Sequence, residues 1–318
     1  MTTVRTHRPT STPTVEGNVV TDVVTGTEQG TEAAVAAPPE LIAGGTAPLV
    51  RRKRRRGGKL MDIAAPLAVF AGLIGLWYAV TYLLLDPGRR FLMPPPQDVI
   101  TEAFLDGPTM EKIGEALWNT IQVTFTGLAI AMVIGISWAV VMSQTKVAER
   151  SLFPYAVALQ CIPILALVPL IGFWFGYDFP ARVIVCVLIS LFPIVSNTLF
   201  GLQSVDRSQH ELFTLHGAGR LTRLTKLQFP AAMPAIFAGF RISAGLSVVG
   251  AIVGDVFFRQ GEAGLGILLD NFRSRLQGPE LFATIIVAAL LGIVTFIVFG
   301  WLGKLAVGRW YDTSRDAA

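Results

Sequence analysis

The sequence predicts an all-α polytopic membrane protein, a bundle of six transmembrane helices, and three observations carry that reading. Hydrophobic residues make up 52% of the chain and charged residues only 15%, with a mean hydropathy of +0.57, the balance of a chain built mainly from apolar spans. Six apolar runs each reach the length of about 20 residues that crosses a bilayer. A loop at 203–234, rich in charge, separates the fourth run from the fifth. The net charge of +4 does not argue for nucleic acid, because the cations sit in short segments flanking apolar runs, where membrane orientation explains them.

Residues 1–50 are rich in Thr, Val, Ala, Pro and Gly, carry no helical or strand period and lack the apolar centre of a signal peptide. They are expected to be a disordered arm. A basic anchor at 51–62 follows, with seven cations from Arg51 to Lys59 placed before the first span, where anionic headgroups attract them. The transmembrane domain is expected over 63–310, with a short tail at 311–318.

The spans run over 63–85, 116–142, 152–175, 181–202, 235–258 and 281–307. After the first, Phe91-Leu92-Met93-Pro94-Pro95-Pro96 cannot continue a helix, since proline lacks the donor and biases its predecessor toward extended backbone. A short amphipathic helix then starts near Gln97 and lies at the outer surface. The third span contains Pro154, Pro163 and Pro169 and is expected to kink at Gln160-Cys161-Ile162-Pro163, its freed carbonyls satisfied inside the bundle. Gly127, Gly135, Gly239, Gly245, Gly250 and Gly254 suit close helix packing. Cys161 and Cys186, both within apolar runs, read as small buried hydrophobes rather than a disulfide. His7, His210 and His216 have no cysteine or acidic cluster to complete a metal site.

Lysine and arginine counts orient the bundle. If the first span enters from the cytoplasm, that side carries the basic anchor, Lys146, Arg150, Arg207, Arg220, Arg223, Lys226, Lys304, Arg309 and Arg315, sixteen cations against seven outside. Both termini are then cytoplasmic. Without the anchor the count is nine against seven, so the orientation rests on that segment.

In the loop, Asp206 or Ser208 is placed to cap a helix whose first turn holds Glu211, where a carboxylate favours the positive end of the dipole. Gly217 permits the left-handed backbone that ends that helix. A second helix carries Arg220, Arg223 and Lys226 on one side, and Pro230 is expected to end it. From charge alone such a loop suits either a protein partner or the lipid headgroups.

The spacing of Glu211, Gly217 and Phe229-Pro230 resembles the EAA loop of the membrane permease subunits of bacterial ABC importers, with Glu211-Leu212-Phe213 for the usual Glu-Ala-Ala and Phe229 for a leucine. The resemblance extends from about Phe91 to Trp310. The segments PILALVPLIGFWFG from Pro163, FPIVSNTLFGLQSVD from Phe192, PAAMPAIFAGFRISAGLSVVGAIVGD from Pro230 and the later Gly261-Glu262-Ala263-Gly264-Leu265-Gly266 are similar to the nitrate, sulfonate and taurine branch of that MetI-like family. The resemblance implies that Glu211, Gly217, Arg220, Arg223, Phe229 and Pro230 meet a cytosolic ABC ATPase. It also implies a homodimer of this chain, an extracytoplasmic solute-binding protein that delivers the solute, and a place in the bacterial cytoplasmic membrane among its lipids.

No G-x-x-x-x-G-K-S/T run occurs in the chain, so ATP hydrolysis is expected in a partner, and neither catalytic motifs nor a cofactor are expected here. Polar groups within spans are the candidates for a solute path: Gln160, Asn197, Ser243, Ser247 and Asp255, with Gln122, Ser190 and Ser196 as further neutral groups. Helix-packing hydrogen bonds are the simpler reading for the serines. For Asp255, pairing with Arg259 one turn later suffices. A small organic anion such as a sulfonate or a nitrate-like solute fits the branch, and similar permeases carry pyrimidine-type precursors. A membrane scaffold or sensor that recruits a cytosolic protein without moving solute is the alternative from another class.

Overall fold

The computed structural model describes residues 58–308, with side chains from residue 64. The 1–50 arm, residues 51–57 of the basic anchor and the 311–318 tail lie outside the described residues. Among the described residues every regular element is helical.

Helix α1, Gly58–Ala79, continues as a π-helical turn, Val80–Leu84. Its end is tied to the proline run that follows: the Trp77 indole N–H donates to the Pro94 carbonyl at 3.0 Å. A 3-10 turn, Pro87–Leu92, leads to α2, Pro96–Asp98, and a π-helical stretch, Val99–Phe104. The helix expected near Gln97 therefore begins one residue earlier, on Pro96, whose fixed φ and missing N–H suit a first helical position. Val99 and Ala103 bury one face of it in a cluster with Ile113, Leu265, Phe272 and Ala283.

Helix α3, Gly107–Ser143, is capped by Asp106, whose carboxylate accepts the Thr109 N–H at 3.1 Å. Its 37 residues make a rod of about 55 Å, longer than the roughly 30 Å hydrocarbon core, so it extends beyond the core. Helices α4, Lys146–Cys161, and α5, Ile164–Phe175, occupy the third apolar run. They are not one kinked helix: the two axes differ by 96°. Ile162 is forced to an extended ψ of 126° ahead of Pro163, which also withholds the N–H that would have bridged the gap. Cys161, expected in the core, is exposed at this break, while Cys186 is buried as expected.

Helix α6, Phe179–Gln203, follows. After it come α7, Arg207–Leu215, and α8, Arg220–Arg223, which runs through a π-helical turn, Leu224–Gln228, into α9, Phe229–Phe258. Helices α10, Leu265–Ser274, and α11, Gly278–Val307, complete the chain's described part. Five helices are long and apolar enough to cross a bilayer, and the bent α4/α5 pair makes a sixth candidate.

Helices α3, α6 and α9 form the centre of the bundle, and small residues set how closely they pack. A Cβ on Gly127 would lie 2.7 Å from the Cys186 Cβ, one on Gly250 2.8 Å from the Cys186 Cα, and one on Gly239 2.9 Å from the Pro193 carbonyl. Gly135 and Gly254 are similarly crowded, against Ile194 and Arg182. Backbone contact of this kind is how apolar helices associate in lipid, where water supplies no driving force. Gly245 is the exception among the expected packing glycines: open space surrounds its missing side chain.

Candidate functional site

Among the described residues, two clusters of polar side chains lie at the two ends of α9. The first is the loop from 203 to 234. Asp206 occupies the cap position of α7, but its side chain accepts no cap bond. Glu211 stands in the second turn rather than the first, and its partner is the exposed Arg207 one turn back, at 3.0 Å. Since both side chains are exposed, 92% and 64% respectively, this pair adds little stability and leaves the carboxylate on offer to a partner.

Gly217 adopts φ +66° with no atom near its missing side chain. It reverses the chain as the sequence led one to expect, and its N–H donates to Thr214 O at 2.9 Å while Ala218 N–H reaches Phe213 O at 2.9 Å. The orphan carbonyls of α7 are thereby satisfied. Arg223 folds its Nε back onto Ala218 O at 3.1 Å, which fixes the angle between the turn and α8. Arg220 stays exposed, as do Leu212, Leu215 and Leu221. Apolar side chains held out among charges make a face suited to a protein groove.

Pro230 does not end the second helix. Phe229 N–H bonds to Leu224 O, five residues back, and the widened turn gives the proline ring room where an α-helical carbonyl would clash. The helix from Arg220 to Phe258 is thus continuous, and Phe229 packs with Leu202, Ala232 and Ile236. A small recess of about 180 Å³, lined by Ser143, Gln144, His210, Arg220, Arg223 and Gln228, separates the loop from the end of α3.

The second region lies at the opposite end of α9. Asp255 pairs with Arg182 of α6 at 3.0 Å, not with Arg259. Arg259 follows the last turn of α9 in a left-handed conformation, φ 49°, and its guanidinium turns to Asp270 at 2.7 Å. Arg182 and Asp255 are 2% and 1% exposed, and each is met by several partners. The Arg182 guanidinium also donates to the carbonyls of Glu262, at 2.7 Å, and Gln260. Thr120 of α3 donates its hydroxyl to Asp255 at 3.4 Å and accepts the Leu265 N–H at 2.9 Å, and the Gly266 N–H points to the same carboxylate at 3.4 Å. A buried pair so supplied with hydrogen bonds ties α3, α6, α9 and the 260–266 loop into one unit.

Above this pair opens a pocket of about 380 Å³ lined by Asn119, Gln122, Asp178, Arg182, Gly261 and Glu262 among others. Its charge is unbalanced toward acid, because the one cation, Arg182, is already engaged with Asp255 and two carbonyls.

Of the other sequence candidates, Ser243 and Ser247 are buried and bonded to backbone, Ser243 to Ser190 O at 2.6 Å and Ser247 to Ala244 O at 2.8 Å. Ser243 joins α9 to α6, whereas Ser247 is satisfied within α9 itself. Asn197 is half-buried and donates to Pro193 O at 2.8 Å. Gln160 is exposed at the α4/α5 break. The candidates therefore do not converge on one channel within a single chain. Arg182, which the sequence reading did not single out, is a core residue. The signal was its position, the second residue of an apolar run, where an arginine needs an acidic partner.

Comparison with known proteins places this architecture. Residues 131–309 match the family described as binding-protein-dependent transport system inner membrane component. The formylaminopyrimidine transport permease protein ThiX of Halalkalibacterium halodurans is 32% identical over 236 residues, 73% of this chain and 90% of that protein. The putative aliphatic sulfonates transport permease protein SsuC of Escherichia coli is 29% identical over 77% of this chain and 91% of that one. Among solved structures, an inward-facing MetNI methionine ABC transporter shares the fold with a TM-score of 0.57 at 15% identity, over 63% of this chain and 99% of that chain.

Proposed function

The chain belongs to the family of binding-protein-dependent transport system inner membrane components, and from that premise we propose how its two polar regions divide the work of an ABC importer. It is a multi-pass permease subunit of the cytoplasmic membrane, and the ATP that drives import is hydrolysed in a separate subunit. Its partners are an ABC ATPase and a solute-binding protein. Two copies of this chain form the solute path between them, with both termini in the cytoplasm.

In this reading α7, Gly217 and α8 are the joint that meets the ATPase, through Glu211, Arg220, Arg223 and the leucines exposed beside them. The carrying observation is the unbroken helix from Arg220 to Phe258. A displacement of α8 is passed through the π-turn at Leu224–Gln228 along α9 to the Asp255–Arg182 pair, with no flexible linker to absorb it. Phe229 and Pro230 set that turn. The 260–266 loop, held by Arg182 and Thr120, is the part that answers at the outer face, where the binding protein docks.

The test is Gly217→Pro and Glu211→Lys in the reconstituted transporter. Uptake and solute-stimulated ATP hydrolysis are expected to be lost while membrane abundance and binding-protein docking persist. Normal coupling in both variants would remove the loop from the transmission path. A scaffold or sensor would instead show ATPase recruitment without binding-protein-dependent uptake.

For the solute, the resemblance to the sulfonate and nitrate branch points to a small organic anion. The outer pocket favours the pyrimidine-type alternative: it offers Asn119, Gln122, Asp178 and Glu262, donors and acceptors for a neutral amide- or amine-bearing solute, and no cation left to meet an anion. Competition of labelled solute uptake by a formylaminopyrimidine, an aliphatic sulfonate and nitrate decides between the two. Inhibition by the sulfonate or nitrate alone would reverse this preference.

A further inference from the structure

We propose that the cleft between α9 and α11 binds the headgroup phosphate of an anionic phospholipid. The cleft holds about 260 Å³ and is lined by Phe237, Arg241, Phe299, Gly300, Gly303 and Lys304, among others. Two cations thus share one recess in the membrane-spanning part of the chain. Arg241 is an exposed arginine about 9 Å inside the end of the 235–258 span nearer α8, a position that is costly unless the charge is matched.

No carboxylate matches it among the described residues. The only acid of α9 is Asp255, fourteen residues on and committed to Arg182, which is about 21 Å away along the helix. The only acid of α11, Glu280, lies in its first turn, whereas Lys304 lies in its last. Neither Arg241 nor Lys304 takes part in any ion pair among the described residues.

The side chain is nonetheless held in place. The Arg241 guanidinium carbon sits 4.0 Å over the Phe296 ring, a cation–π contact that orients the fork without neutralising it. Gly300 and Gly303 let α9 approach: a Cβ at these positions would fall 3.3 Å from Arg241 Nε and 3.1 Å from Phe237 Cβ. A fixed guanidinium beside a lysine is a donor set for phosphate oxygens.

The surroundings identify an amphiphile rather than a free anion. From the cleft, α11 presents Trp301, Ile297 and Ile293, all more than half exposed, an apolar strip along which acyl chains lie while the phosphate rests on the cations. An indole at such a boundary suits the level of the headgroups.

Native mass spectrometry of the full chain with its transport partners, titrated with phosphatidylglycerol, tests the proposal. Each copy of the wild-type chain is expected to retain one phosphatidylglycerol, and Arg241→Gln/Lys304→Gln to bind it about 30-fold more weakly, Lys304→Gln alone about 5-fold. Arg241→Lys, which keeps the charge but loses the stacked planar fork, is expected to bind more weakly than wild type yet more tightly than the double variant. Equal retention by the double variant would overturn the site. Equal retention of phosphatidylcholine would reduce it to an acyl groove, and displacement by inorganic phosphate would make it a free-anion site. A wild-type chain that retains no lipid, with the cleft protected by a second copy in cross-linking, would replace lipid with protein as the occupant.

Discussion

Arg182 and Asp255 are each nearly inaccessible, so their interaction is not screened by solvent, and removal of one partner strands the other. Asp255→Asn is therefore expected to destabilise the detergent-solubilised protein by about 3–5 kcal/mol, read by thermal or denaturant unfolding, because an uncompensated guanidinium stays buried. The double variant Arg182→Met/Asp255→Leu should recover most of that loss, since no charge remains to be desolvated. A double variant as unstable as the single one would mean that the hydrogen bonds to Thr120, Glu262 and Gly266 matter more than the charges. Asp255 itself was legible in the sequence as the one acid deep in a late span, but its partner was not. Arg259 lies one turn away along an ideal helix, and only the left-handed backbone at 259, invisible in residue order, turns it toward Asp270. At Gly217 the opposite holds: a glycine between two helix-forming stretches announces its positive φ. Because nothing crowds its missing side chain, substitution there costs only backbone strain. Gly217→Asn, which tolerates left-handed geometry, should retain most uptake activity, while Gly217→Val, which does not, should lose most of it at equal membrane abundance.

At the scale of elements, proline in sequence proved an ambiguous stop signal, and the two cases divide on what surrounds it. Pro163 breaks the third run outright, with a 96° change of direction, because Ile162 before it takes an extended backbone and the neighbours α4 and α5 are largely exposed. Pro230 leaves its helix intact, because a π-turn moves the Phe229 bond to Leu224 and the buried Leu202, Ala232 and Ile236 hold that register from the side. Tertiary packing made the difference, and a single chain's residue order does not display it. One extra residue in a turn rotates everything before it by roughly 100° relative to an unbroken α-helix. Pro230→Ala permits the ordinary α-helical bonds and should swing Arg220 and Arg223 away from their present bearing. The expected outcome is a permease present at normal abundance whose ATPase partner still hydrolyses ATP but responds weakly to loaded binding protein. A full response in Pro230→Ala would show that the π-turn is a local accommodation of proline without consequence for coupling.

At the scale of the whole molecule, the six-span layout was legible because apolar run length is dictated by bilayer thickness, and five uninterrupted helices plus one bent pair occupy the expected runs. Orientation is a different matter, since it rests on the cationic run at 51–59 and on few other charges. The fold itself constrains the answer: the loop at 203–234 and the 260–266 loop stand at opposite ends of a 30-residue α9, a rod of about 45 Å that the bilayer core cannot contain with both ends on one side. If the first faces the ATPase, the second faces outward, and alternation then fixes every other loop. Reporters active only outside the cytoplasm should therefore be active when inserted near Gly107 or Gly278, at the starts of α3 and α11, and silent near Ser143 or Gly219. Deleting 51–59 together with the arm should weaken this pattern, while deleting 1–50 alone should leave it and uptake unchanged. An active reporter at Gly219 would put the α7–α8 turn on the wrong face for an ATPase, and the mechanical route along α9 would then have to start from the other end.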